Sequence, residues 1–151
     1  MEIGPMLTKP KVIGYWVTTA LLAAALLAGG AAELASAPAV VASTVALGYP
    51  AYVLTIVGIW KLLSAPALLA PRLPRLKEWA YAGIFFDFTG AAASHAFSGD
   101  TSGKIATPLV LLLIAAASWA LRPPSRTCKS DSTLPKRAQA VASPEGVAAH
   151  A

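Results

Sequence analysis

Charge is what this 151-residue sequence has least of: Asp, Glu, Lys and Arg make up 13% of it, while 56% is hydrophobic. An ordinary soluble domain carries about 25% charged residues, so a water-soluble fold of this composition could not cover its own surface. Cysteine is nearly absent too. The single Cys128 cannot close an intrachain disulfide, form a CxxC redox pair or build a Cys-rich zinc site. Histidine is limited to His95 and His150, too far apart in sequence and context to read as a metal pair. No GxGxxG, P-loop, HExxH or GxSxG pattern occurs. These absences leave no self-contained catalytic motif, no catalytic residue to name and no metal site. The net charge of +5 and the pI of about 9.6 do not indicate nucleic acid. The basic residues sit at the ends of apolar runs, which is a membrane pattern.

Long apolar runs are what the sequence does have, with a mean hydropathy of +0.62. A bilayer core of about 30 Å needs roughly 20 apolar residues in a helix, and four stretches approach that length: 12–32, 51–70, 79–97 and 105–121. The expected fold is therefore all-α, a polytopic membrane four-helix bundle occupying residues 1–126. The Ala-, Ser- and Pro-rich tail, 127–151, has no large apolar set and is expected to be disordered and cytoplasmic. Ten of the twelve Lys and Arg residues fall on one side of these spans, which by the positive-inside rule places both termini and the 71–78 loop in the cytoplasm. Tyr15, Trp16, Trp79, Tyr81 and Trp119 fall at the inner interface, and Tyr49 and Tyr52 at the outer one. Lys9 and Lys11 ahead of an apolar run, with Ala35-Ser36-Ala37 beyond it, also suit a secretory signal. The length of the run and Pro38 after the would-be cleavage point favour an uncleaved span. The stretch 39–47 is too short to cross; it either prolongs a helix or lies in the outer interface.

Charges inside such spans are expensive, at about 2.5–3.5 kcal/mol each near a helix centre. Lys61 lies thirteen residues before position 74 and Asp87 thirteen after it, so an antiparallel hairpin of the second and third spans puts them at one depth. A buried ion pair between Lys61 and Asp87 follows, either as a lock on hairpin register or as part of a functional polar site. Glu33 is expected at the outer surface and His95 near it in depth. Asp87, Ser94 and His95 share one polar stripe of the third span, and Gly58, Gly83 and Gly90 read as close-packing positions. Pro66 frees the carbonyl of Leu62 and is expected to kink the second span beside Lys61. Glu33, Trp60, Lys61, Asp87, Ser94 and His95 form the candidate ligand site. It is expected to open toward the outer half, above an inner third sealed by Leu68, Leu69, Ile84 and Phe85.

Four strings carry a family resemblance: Leu47-Gly48-Tyr49-Pro50-Ala51-Tyr52; Gly58-Ile59-Trp60-Lys61-Leu62-Leu63; Leu76-Lys77-Glu78-Trp79-Ala80-Tyr81-Ala82-Gly83; and Thr89-Gly90-Ala91-Ala92-Ala93-Ser94-His95. Together they resemble the DoxX-like family of small bacterial four-helix membrane proteins, over about residues 11 to 126. The resemblance implies a bacterial inner membrane and a role on the quinone side of a membrane oxidoreductase, with quinone as the associated, non-covalent cofactor. DoxX is named for a membrane subunit associated with thiosulfate:quinone oxidoreductase. The lack of paired cysteines argues against thiol redox chemistry. Three functions stay open: a quinone- or lipid-binding accessory subunit of an oxidoreductase; a non-catalytic scaffold or stress-related protein whose Lys61–Asp87 pair is structural; and a small-solute or proton carrier relaying through Asp87, Lys61, His95 and Glu33. The last would require a homo-oligomer, since four short spans are few for transport. The partners expected are the lipid bilayer and an oxidoreductase subunit or a second copy of the chain, with no nucleic acid.

Overall fold

The computed structural model describes residues 9–123, and all five regular elements in that range are α-helices. The tail at 127–151, expected to be disordered, lies outside the described residues, as do Cys128 and His150. Four helices are long: α1 (Lys9–Leu34), α3 (Tyr52–Leu69), α4 (Pro74–Phe97) and α5 (Ser102–Ala120). The fifth is the short, uncharged α2 (Pro38–Ala46), which buries none of its side chains. The sequence is compatible there with either an extension of the first helix or an interfacial segment. Ser36, at φ +49°, and Pro38 at the start of α2 break it from α1 and make it a separate element.

Three helical stretches are long and apolar enough to cross a membrane: Pro10–Leu34, Tyr52–Leu69 and Ser102–Ala120. Four spans were expected; α4 has the length of the others but is less apolar and is not among these three. Its 24 residues would reach about 36 Å, but they include Arg75, Lys77, Glu78, Asp87 and His95.

Helices α1 and α4 each pack against both α3 and α5, so the long helices form a ring in the order α1, α3, α4, α5. Leu22, Ala23 and Leu26 of α1 meet Ala65 and Leu68 of α3, Ala80, Ile84 and Phe88 of α4, and Ala115 of α5 in one buried cluster. The α1–α3 contact depends on Gly30 and Gly58. A Cβ on Gly30 would lie 2.9 Å from the Gly58 carbonyl oxygen, and one on Gly58 would lie 3.0 Å from that of Gly30. Such backbone approach is what small residues permit between apolar helices. Gly83 and Gly90, expected to do the same, have no neighbour within 4 Å of a built Cβ.

The ring is pinned at the end where α1 and α4 begin and α3 and α5 finish. Ser118 of α5 lies 2.7 Å from the Thr19 hydroxyl of α1 and 2.7 Å from the Tyr81 hydroxyl of α4, all in buried surroundings. Arg122 reaches Glu78 at 2.8 Å and lies over the Tyr81 and Trp119 rings at 5.0 and 5.2 Å. Trp119 Nε1 donates to Glu78 Oε2 at 3.1 Å. Lys77 is 1% exposed and donates to the carbonyls of Ala67 and Leu68, two of the last α3 acceptors that lack a helical donor. Two residues that sequence reading placed among the interfacial cations, Lys77 and Arg122, are therefore buried structural groups. Tyr15 and Tyr81, assigned to an aromatic belt, are core residues at 0% and 7% exposure, whereas Trp16, Trp79 and Trp119 stay exposed.

Gly30→Ala is expected to wedge α1 from α3 and destabilise the protein by about 1–3 kcal/mol. Gly90→Ala, in open space within a helix, should be neutral or stabilising by about 0.5–1 kcal/mol. Unfolding midpoints of the two variants in detergent check the contrast.

Candidate functional site

The site begins where α1 meets α3. Gly29 and Glu33 are four apart and so lie on one face of α1; that face meets Lys61 of α3, whose Cδ would be 3.9 Å from a Cβ built on Gly29. The Lys61 ammonium donates to Glu33 Oε1. Across the ring, Asp87 Oδ2 of α4 stands 3.6 Å from the same nitrogen, with the Lys61, Glu33 and Asp87 side chains 17%, 11% and 25% exposed. One cation thus joins three helices.

At 3.6 Å the Asp87 contact is electrostatic rather than a hydrogen bond. Glu33 Oε2 and Asp87 Oδ2 are buried and accept no hydrogen bond from any described residue. Glu33, expected to end the first span at the outer surface, is the last residue but one of α1 and is buried against Lys61. Depth matching drew attention to Lys61 and Asp87 but gave no sign that Glu33 would be the hydrogen-bonded partner.

Beside the triad lies a cavity of about 440 Å³ between α3 and α4. Lys61 and Asp87 line it together with Ser64; most of its remaining wall is Trp60, Leu63, Leu76, Trp79 and Ile84. Trp60 and Trp79 are both exposed on the outside of the ring. The cavity extends from the triad toward the α3–α4 turn, in the third that sequence reading expected to be sealed. Three features keep it open. Gly83 has no side chain to fill it, Pro66 interrupts the hydrogen bonding of α3 next to Ser64 and Ala67, and α3 meets α4 less extensively than it meets α1. A smaller cavity of about 300 Å³ lies between α4 and α5, against Tyr81, Phe85 and Trp119.

The other expected site residues go elsewhere. Ser94 lies 2.9 Å from the Tyr49 hydroxyl, tying the segment before α3 to α4. His95 Nδ1 lies 2.8 Å from Asp100 Oδ2, and Lys104 donates to Asp100 Oδ1 at 2.7 Å. The end of α4 explains this pairing. Gly99, at φ +67°, lets the Asp100 N–H bond the His95 carbonyl at 3.0 Å and the Gly99 N–H that of Ala96 at 3.1 Å, a Schellman turn. The turn folds the Asp100 carboxylate back onto the ring. The hydrogen bond from Lys104, followed by that with His95, holds the Asp100 carboxyl below its ordinary range. His95 therefore belongs to a separate surface cluster instead of joining Glu33. Among the described residues no group of three or more His, Cys, Asp or Glu is placed to hold a metal ion.

A family model described as the DoxX-like family matches residues 17–118. The match covers both α3 and α4 and most of α1 and α5; the chain belongs to the DoxX-like family and is a membrane protein with apolar helices. No curated protein matches it, and no solved structure does.

Removing the cation alone leaves two buried carboxylates facing each other. Lys61→Met is expected to destabilise the protein by about 3–5 kcal/mol, whereas the triple change Glu33→Gln, Lys61→Met, Asp87→Asn should recover most of that loss. Thermal unfolding in detergent reads both, and equal destabilisation in the single and triple variants would contradict the triad.

Proposed function

We propose that this chain is an inner-membrane subunit that binds a lipophilic molecule, quinone- or lipid-like, between α3 and α4 and serves a membrane oxidoreductase. Residues 1–126 form the membrane unit. In this reading α4 is a fourth crossing and both ends of the bundle unit face the cytoplasm. The carrying observation is the cavity itself: a volume of about 440 Å³, within the range of small-molecule sites, mostly apolar and with a few polar groups at one end. A ligand with a polar head and an apolar body suits such walls, its head toward Lys61 and Asp87 and its body along Leu63, Leu76 and Trp79. Trp60 and Trp79 frame a way in from the surrounding lipid. The basic residues Arg72 and Arg75 lie beside the same end of α3 and α4, so by charge bias the ligand is drawn from the cytoplasmic leaflet.

The joining of α1, α3 and α4 through Lys61 supports a second reading, a scaffold in which the triad only fixes the fold. A photoreactive quinone analogue separates the two. Binding predicts labelling within 60–67 and 76–87 that is abolished by Gly83→Leu, a change that fills the cavity. Labelling confined to the His95 end, or unaffected by that change, would contradict a site between α3 and α4.

Topology has its own test. Alkaline phosphatase fused after Gly99 is expected to be active and fused after Arg75 silent, and the reverse pattern would overturn the orientation.

A further inference from the structure

Glycine inside a helix costs about 0.5–1 kcal/mol relative to alanine, and at the α1–α3 contact the close approach of Gly30 and Gly58 offsets that cost. Gly83 and Gly90 of α4 have no such contact within the chain: both are exposed, with nothing within 4 Å of a built Cβ. The other exposed glycines among the described residues lie in turns with positive φ, as Gly48 and Gly99 do, or in the first turn of α5, as Gly103 does. At 100° per residue, Trp79, Gly83, Phe86, Gly90, Ala93 and Phe97 fall within about 80° of arc, and all six are exposed. Ala80, Ile84 and Phe88, which enter the buried cluster, lie across the helix from them. No charge interrupts this stripe between Trp79 and Phe97, since Asp87 turns to Lys61 and His95 to Asp100. Arg75, one turn before Trp79, bounds it where α4 begins. The outward face of α5 carries Leu109, Val110 and Leu113 instead, aliphatic side chains that suit lipid alone.

With α4 read as a crossing helix, we propose that this face is the interface with a second copy of the chain, α4 packed against α4. Copies inserted in one orientation are related by a twofold axis along the membrane normal, so the two α4 helices run parallel and same-numbered residues meet across the axis. Glycine then faces glycine at 83 and 90, the close approach that small residues permit between membrane helices. Side chains on a helix lean toward its N-terminus, which sets Phe86 of each copy onto the Gly83 turn of the other and Phe97 onto Ala93. The available area agrees. Trp79, Phe86 and Phe97 are 80%, 72% and 93% exposed, and at about 150–250 Å² per aromatic side chain they alone offer roughly 500 Å². With the small residues and flanks of the stripe, each copy approaches the ~800 Å² per partner of a stable interface. Trp79 and Gly83 also line the α3–α4 cavity, so a second copy walls the α4 edge of its mouth and leaves the Trp60 edge to lipid. The pairing does not depend on that cavity holding a ligand.

Full-length protein carrying Cys128→Ser, which removes the one native thiol, tests this in lipid vesicles. Ala93→Cys on that background is expected to form an intermolecular disulfide on mild oxidation, whereas Leu113→Cys, outward on α5, is not. Energy transfer between donor- and acceptor-labelled copies, followed as added lipid dilutes the protein, reads the association itself. Gly90→Leu is expected to weaken it about ten-fold or more in protein that keeps its unfolding midpoint. Gly90→Ala should weaken it too, although that midpoint holds or rises, a divergence that loss of fold cannot produce. Copies that stay monomeric at every dilution overturn the proposal, because lipid then covers the face. Association that crosslinks through Leu113→Cys rather than Ala93→Cys, or that is indifferent to Gly90→Leu, overturns the pairing through α4. The phosphatase fusion after Gly99 tests the crossing of α4 separately, and its failure is told apart from failure of the pairing.

Discussion

An ammonium group drawn in among apolar helices needs acceptors close by: Lys77 reaches carbonyls at the end of α3, and Lys61, at mid-helix, reaches carboxylates. Lys61 does not find them within its own helix. One carboxylate comes from α1 and another from α4, so the position of Lys61 fixes both neighbours of α3 at once. Because replacing a buried ion pair by apolar side chains is often neutral or stabilising, the triad is better understood as specifying how the helices meet than as the main source of stability. Stability comes from the Leu, Ala, Ile and Phe cluster at the centre of the ring and from the close approach of Gly30 and Gly58.

The two faces of α4 are held differently, and the cavity follows from that difference. Toward α5, Tyr81 bonds Ser118 while Glu78 engages Arg122 and Trp119, a set of directional contacts at one end of the ring. Toward α3, the links are the Lys77 reach to the α3 carbonyls and the longer Asp87–Lys61 contact. Between those two links the facing side chains include Gly83 and Ala80, which are too small to fill the space left by Ser64 and Ala67. Polar groups at one end and apolar walls along the rest are what the proposed amphiphilic ligand requires.

Much of this was legible in the sequence, for physical reasons. Apolar runs of bilayer length located the four long helices to within a few residues, except that α4 begins at Pro74 rather than 79, since proline at a helix start costs nothing. The cost of intramembrane charge singled out Lys61 and Asp87. Glu33 does stand at the end of α1, but its position along the chain gave no sign that it would face Lys61 and be buried there. Lys77 and Arg122 were counted as topology signals because charge bias says where a cation lies along the chain but nothing about what it touches. Asp100 does have a signal: Gly99 followed by Asp, four and five residues after His95, is the sequence of a helix-ending turn that returns a carboxylate to the imidazole. The cavity had no local signal at all, because it arises from what Gly83, Ala80 and Ala67 leave empty once two helices are brought together.

A binding role requires that the space between α3 and α4 be occupied in the membrane. The most direct measurement is an experimental structure of the protein taken from its native membrane without added lipid or quinone. The expected result is elongated density between Trp60 and Trp79, with its polar end within hydrogen-bond distance of Asp87. Helices α3 and α4 closed against each other around an empty, collapsed interface, with the Lys61 triad intact, would contradict it.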